Sequence, residues 1–155
     1  CQYKTLIPCN IYGRHDKFDP VHSHLLQAII DKVHQAKQSG KQIVEIWGDG
    51  SARREFIYGG DLADAIMHAI KNFDTLPAYM NVGLGHDYTI NEYYDAVAST
   101  IGYEGSFTND LSKPVGMARK LVSIEKQKAW GWLADTDLHS GIKKTYAYYL
   151  KSAKQ

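Results

Sequence analysis

The stretch QIVEIWGDGSARREFIY, Gln42 to Tyr58, joins two apolar, strand-forming runs through five small or polar residues. QIVEIW (42–47) and RREFIY (53–58) are each strand-like, and the intervening GDGSA has the composition of a hairpin or tight loop. The period then changes: Leu62, Ala65, Ile66, Ala69 and Ile70 recur at helical spacing.

The flanks repeat that alternation. Upstream, Thr5 to Tyr12 is a short β-compatible run. Asp19-Pro20 supplies a helix N-cap with proline at the first helical position. Leu25, Ile29, Ile30 and Val33 follow at helical spacing, and Gly40 marks the end of that helix. Downstream, YMNVG (79–83) reads as a strand. Thr89-Ile90-Asn91-Glu92 has the form of a capping box opening a helix to about Ile101. SFTND (106–110) and KLVSI (120–124) read as short strands. Two helices close the chain, from about Ile124 to Trp130 and from about Leu138 to Lys151, the second with Leu138, Ile142, Tyr146 and Tyr149 on one side. Strands alternating with helices predict an α/β fold with largely parallel pairing.

A chain of 155 residues can form one domain, and 44% hydrophobic with 23% charged residues is an ordinary globular composition. The net charge of +1, scattered along the chain, gives no basic face for a nucleic-acid duplex. No apolar run approaches the ~20 residues of a membrane-spanning helix, and the opening residues do not read as a signal peptide. Cys1 and Cys9 are too few for a disulfide framework, so a reducing cytoplasm is the expected compartment. A strand beginning almost at residue 1, without an initiator Met, suggests the downstream part of something longer.

Among motifs, absences matter. No Tyr is followed four residues later by Lys, and there is neither a Gly-x-Gly-x-x-Gly nor a P-loop. GLGHDY (83–88) has two glycines and Tyr88 where a third would stand, and a strand-ending turn explains it better than a phosphate cradle. His22 and His24 have a spacing that suits zinc on a strand, but on a helix residues two apart diverge. No metal site is expected. A histidine in the first turn of a helix at a pocket rim can instead give or take a proton. Trp47 with Arg53 and Arg54 suits a nucleotide, the ring stacking on a base and a guanidinium bridging phosphate oxygens. Strand alternation sends the two arginines to opposite faces, so one reaches a ligand. SKPVGMARK (112–120) is a basic loop that could approach a phosphate. YAYYL (146–150) suits core and helix surface.

NIYGRHD (10–16), the helix entered through HSH (22–24), EIWGDGSARREFIYGGDLADAI (45–66), NVGLGHDYTINE (81–92), IGYEG (101–105) and SKPVGMARKL (112–121) occur in this order. Over essentially all 155 residues they resemble the downstream part of the GDP-L-fucose synthases, the GDP-4-keto-6-deoxy-mannose epimerase-reductases of the extended short-chain dehydrogenase superfamily.

The resemblance implies a substrate-binding lobe with a few elements of a Rossmann-type sheet, residues 1–155 forming the C-terminal part of an NAD(P)-dependent enzyme. Thr5–Tyr12, the helix after Gly60 and YMNVG would belong to the dinucleotide-binding sheet. The backbone around Pro8, Cys9, Asn10 and Ile11 would lie along the nicotinamide end of NADP(H), most of which the missing N-terminal half would bind. His24 would stand near cofactor and keto-sugar as the acid that reprotonates the carbanion. Trp47 and Arg54 would hold a GDP-sugar, with Lys32 and Lys113 as further substrate contacts, all around one cavity. Lys32 stands where the family usually has arginine, and Val115 where some members have aspartate, which opens the identity of the sugar. A reductase or epimerase for another nucleotide-sugar, such as a GDP-deoxyheptose, and a free-standing non-catalytic module are the alternatives. An uncovered sheet edge makes association, for example as a homodimer, an expectation.

Overall fold

The computed structural model describes residues 3–18 and 23–152. Both cores lie against a short parallel ribbon, in which β2 (Asn10–Tyr12) pairs with β5 (Phe56–Tyr58). Alternation along β5 sends Phe56 and Tyr58 into one hydrophobic cluster and Ile57 into the other. The predicted strand Thr5–Tyr12 is therefore two strands. β1 (Thr5–Pro8) pairs in parallel with β6 (Tyr79–Val82), and after Cys9 the chain changes partner to β5.

The decisive stretch is not a hairpin. β3 (Ile43–Trp47) pairs in parallel with β8 (Ser106–Asp110). β4 (Arg53–Arg54) lies between β7 (Tyr88–Thr89), antiparallel, and β9 (Arg119–Lys120), parallel. GDGSA is a tight loop whose backbone is tied to outside partners. The Gly48 amide donates to Asp110 O at 2.8 Å, and Gly50 O accepts from the Asn91 amide at 3.1 Å. Bonds to two different elements pull the flanking strands apart. Of the five pairings among the described residues four are parallel, so the α/β reading with largely parallel strands holds. KLVSI forms a strand only at Lys120, because the Val122 amide donates to the Glu55 carboxylate instead of to a neighbouring strand.

The larger core gathers α1 (Leu25–Ser39), α3 (Ile90–Ile101) and α5 (Leu138–Ser152) around β3. Leu26, Ile29, Ile30 and Val33 of α1 are fully buried there, each side chain contributing roughly 1.5–3 kcal/mol. α1 ends as expected at Gly40, whose φ of 68° is left-handed. Its expected start at Asp19-Pro20 lies outside the described residues; the helix begins at Leu25 with His24 as N-cap. The capping box of α3 is formed, with Thr89 Oγ1 accepting from the Glu92 amide at 3.1 Å and Glu92 Oε2 from the Thr89 amide at 2.6 Å. α5 packs on β2 because Gly141 has no Cβ: one would lie 1.8 Å from the Tyr12 hydroxyl oxygen.

The smaller core joins β1, β6, α2 (Gly59–Lys71) and Trp132, which follows α4 (Glu125–Trp130). Ala65 and Ala69 face it, whereas Ile66 and Ile70, read as part of the same apolar stripe, are exposed. The short alanine side chains bring α2 close to its neighbours and leave the adjacent isoleucines outside.

Candidate active site

A cleft of about 440 Å³ opens at the C-terminal side of β1, lined by Cys9, Asn10, Ile11, Asp16, His24, Leu25, Arg54, Phe56 and Lys120. Its wall follows from the partner change at Cys9: the segment crossing from one parallel pair to the other presents Cys9, Asn10 and Ile11 to the opening. Asn10 is held there, its Nδ2 donating to Glu55 O at 2.8 Å and its Oδ1 accepting from Lys120 Nζ at 3.4 Å.

Cys9 contributes a thiol without nucleophilic character. Burial, reinforced by the nearby Glu55 carboxylate, pushes it up to about 12, so almost no thiolate exists at neutral pH.

Arg53 and Arg54 part as β-alternation requires. Arg53 Nε donates to Asp87 Oδ1 at 2.7 Å, and Arg119 holds the other oxygen of that carboxylate. Hydrogen bonding from Arg119 first, then from Arg53, holds the Asp87 carboxyl below the usual carboxylate range. Arg54 turns to the cleft. Its Nη1 donates to Arg53 O at 2.7 Å and to Met117 O at 2.6 Å, and Tyr93 Oη donates to Arg54 O at 2.9 Å. A guanidinium braced through one nitrogen keeps other donors for an anion.

His24 stands at the rim, its side chain 76% exposed, with Nδ1 3.8 Å from Asp16 Oδ1. As N-cap residue it makes no side-chain bond to the helix, so the imidazole is not spent on capping.

The structure thus brings Cys9, Asn10, Ile11, His24 and Arg54 to one opening, with Pro8 at the end of β1 beside it. Trp47, Lys113 and Lys32 are not in that lining. Trp47, 66% exposed, ends β3, and Lys113 Nζ lies 5.5 Å over its ring. The 112–120 loop connects the two places, carrying Lys113 at one end, Met117 against Arg54 in the middle and Lys120 at the cleft. Lys32 donates to Glu45 O on β3, and burial, partly opposed by Glu45, lowers its pKa. Sequence reasoning passed over Asp16 and Lys120 as individual residues. Both lie in motifs it quoted, NIYGRHD and SKPVGMARK, but nothing in their spacing distinguishes them from solvated charges.

The Gly83–Gly85 turn is already filled. Glu55, 1% exposed, accepts at Oε1 from the amides of Leu84 (2.7 Å) and Gly85 (2.8 Å) and at Oε2 from Val122 (2.9 Å), while the Gly83 amide donates to Gln127 at 2.8 Å. These amides are not available to a phosphate, so the turn is structural. His22 lies outside the described residues; among those described, no group of three His, Cys, Asp or Glu side chains could hold a metal ion. No described helix is long and apolar enough to cross a membrane.

The chain is 55% identical over 149 residues to GDP-L-colitose synthase of Yersinia pseudotuberculosis, covering 96% of this chain and 48% of that protein. It is 51% identical to GDP-L-fucose synthase of Azorhizobium caulinodans, covering 96% and 47% respectively. It superposes with a TM-score of 0.83 on a GDP-D-glycero-L-gluco-heptose synthase from Campylobacter jejuni, at 31% identity over 96% of this chain and 52% of that one. The chain spans about half the length of the curated relatives it matches. Residues 1–85 match the NAD dependent epimerase/dehydratase family, and the chain belongs to that family.

Proposed function

We propose that this chain forms the sugar-nucleotide side of an NADPH-dependent epimerase-reductase of the GDP-L-fucose synthase type, acting on a GDP-4-keto-6-deoxy-hexose. The observation that carries the reading is the cleft shared by His24 and Arg54, a proton carrier and an anion-binding fork on one wall built from Cys9, Asn10 and Ile11.

In this reading Arg54, with Lys120 nearby, takes the diphosphate, and the exposed face of Trp47 takes the base or ribose end, with Lys113 moving aside from the ring. His24 returns a proton to the carbon beside the keto group after that carbon has been deprotonated. NADPH, when bound, supplies the hydride that reduces the ketone. The cleft wall fits one end of such a cofactor, since Cys9, Asn10 and Ile11 line the opening where the chain passes from one parallel pair to the other. The described residues offer no glycine-turn cradle for its phosphates, because Glu55 occupies the Gly83–Gly85 amides.

The 55% identity to a GDP-L-colitose synthase and Val115 in the 112–120 loop favour a second reading, in which the sugar differs from that of the fucose pathway. The test is an assay of the whole encoded protein with NADPH and a panel of 4-keto GDP-sugars. His24→Gln should abolish epimerisation and leave simple reduction partly intact; equal loss of both activities would contradict the role of His24.

A further inference from the structure

We infer that Asp16 is the positioning residue of His24: it accepts from Nδ1 and thereby leaves Nε2 as the nitrogen that handles the proton. The inference deepens the proposed function and rests on His24 being the proton donor.

Asp16 is built in, where His24 is not. Its side chain is 25% exposed against 76% for His24. Oδ1 accepts from the Lys17 amide at 2.8 Å, and Oδ2 accepts from the Gln27 side-chain amide. Gln27 is wholly buried on α1, so the carboxylate is pinned to the helix that His24 caps. The remaining side of Oδ1 faces His24 Nδ1 at 3.8 Å. That is too long for a hydrogen bond, but an exposed imidazole closes it by a small rotation, and such contacts commonly tighten only when substrate binds.

The backbone approaching Asp16 is unusual in a way that serves this placement. His15 has φ 67°, the one described non-glycine residue in the left-handed region. A non-glycine residue holds that conformation only where its surroundings impose it. Here the His15 ring packs on Tyr148 of α5, with centroids 4.6 Å apart. The reversal at His15 delivers the next residue, Asp16, to the wall of the cleft. His24 itself makes no capping bond that would compete for Nδ1.

The chemistry follows from the two nitrogens. Protonated His24 gives its Nε2 proton to the substrate carbanion; a C–H bond forms, the N–H bond breaks, and the electron pair stays on Nε2. The neutral ring keeps its other proton on Nδ1, directed at the Asp16 carboxylate.

The test is the tautomer of neutral His24, read from long-range proton–nitrogen spectra of the chain labelled with 15N-histidine at pH ~9, above the ordinary imidazole range. The wild type should show the Nδ1–H form in excess, its ratio to the Nε2–H form raised roughly fivefold or more over that of an unpaired histidine side chain, the yield of one net hydrogen bond. Asp16→Asn should remove that excess and Asp16→Glu should restore part of it. The ring signals of His34, hydrogen-bonded to Tyr146 in the core, report whether the variants remain folded. Equal tautomer populations in wild type and Asp16→Asn, with His34 unchanged, would overturn the inference. Where Asp16→Asn does not fold, the wild type decides alone, and a predominant Nε2–H form overturns it. The spectra do not depend on activity, so failure of His24 as the donor, seen as intact epimerisation in His24→Gln, is a separate result.

Discussion

Glu55 occupies the space that Gly83 leaves open: a Cβ at Gly83 would lie 2.5 Å from Glu55 Oε1. One buried carboxylate, at the junction of β4 and β5, thereby ties that junction to the turn after β6 and to the segment after β9. Glu55→Ala leaves the half-buried amides of Leu84 and Val122 and the more exposed one of Gly85 without their acceptor and should cost about 3 kcal/mol, the lower end of 1–3 kcal/mol for each of three unsatisfied groups. Gly83→Ala should destabilise as well, by forcing the carboxylate off those amides. Urea unfolding monitored by tryptophan fluorescence measures both. A loss under about 1 kcal/mol for Glu55→Ala would mean that water replaces the carboxylate.

Arg53 and Arg54 should respond oppositely to alanine. Arg53 satisfies the buried Asp87 carboxylate, so Arg53→Ala should lower the melting temperature and leave nucleotide affinity nearly unchanged. Arg54 should show the reverse, with GDP binding weakened about tenfold or more, the loss of one charge-assisted hydrogen bond. Thermal melts and calorimetric titration with GDP separate the two. Unchanged GDP affinity in Arg54→Ala would remove that residue from the phosphate site.

Acid should destabilise the protein in two stages. Burial lowers the pKa of His34, so the unfolded chain binds its proton first, and stability declines as pH falls through the ordinary histidine value of about 6.5. The Asp87 carboxyl is also lowered, chiefly by its hydrogen bond from Arg119. Its contribution is present above the unfolded value of about 4 and is lost as pH falls toward the depressed folded value. His34→Gln should flatten the first stage and Asp87→Asn the second. Denaturant midpoints across pH 3 to 8 report both; one featureless decline in all three proteins would refute the assignment.

The Cys9 thiol, pushed up to about 12, should resist modification. In a Cys1→Ser background, reaction with a chromogenic disulfide at pH ~8 should run ~1,000-fold slower than for an ordinary thiol, three pKa units corresponding to that factor in thiolate. Rapid stoichiometric labelling of the folded chain would show Cys9 to be accessible and ionised.

What the sequence determined by itself is everything carried by local periodicity and capping. Ile29, Ile30 and Val33, read at helical spacing, mark the buried stripe of α1, although its first member is the fully buried Leu26 and not the half-buried Leu25; Gly40 stops the helix, and Thr89 with Glu92 starts α3, because these signals act within a turn or two of the chain. Pairing was another matter. GDGSA reads equally as a hairpin or as a tight loop, and only the distant partners Asp110 and Asn91 hold its flanking strands apart. Glu55 reads as one charge in a strand, yet tertiary contacts make it a buried anchor. The site divides in the same way: β-alternation separates Arg53 from Arg54 in any strand, but which arginine meets Asp87 and which meets the cleft depends on the strands that flank β4. Nothing local could single out Asp16, because its role depends on a helix cap eight positions away in sequence and on a turn braced by Tyr148 of α5. Short-range order is written in residues that touch along the chain; a site assembles from residues that meet only after the chain has packed.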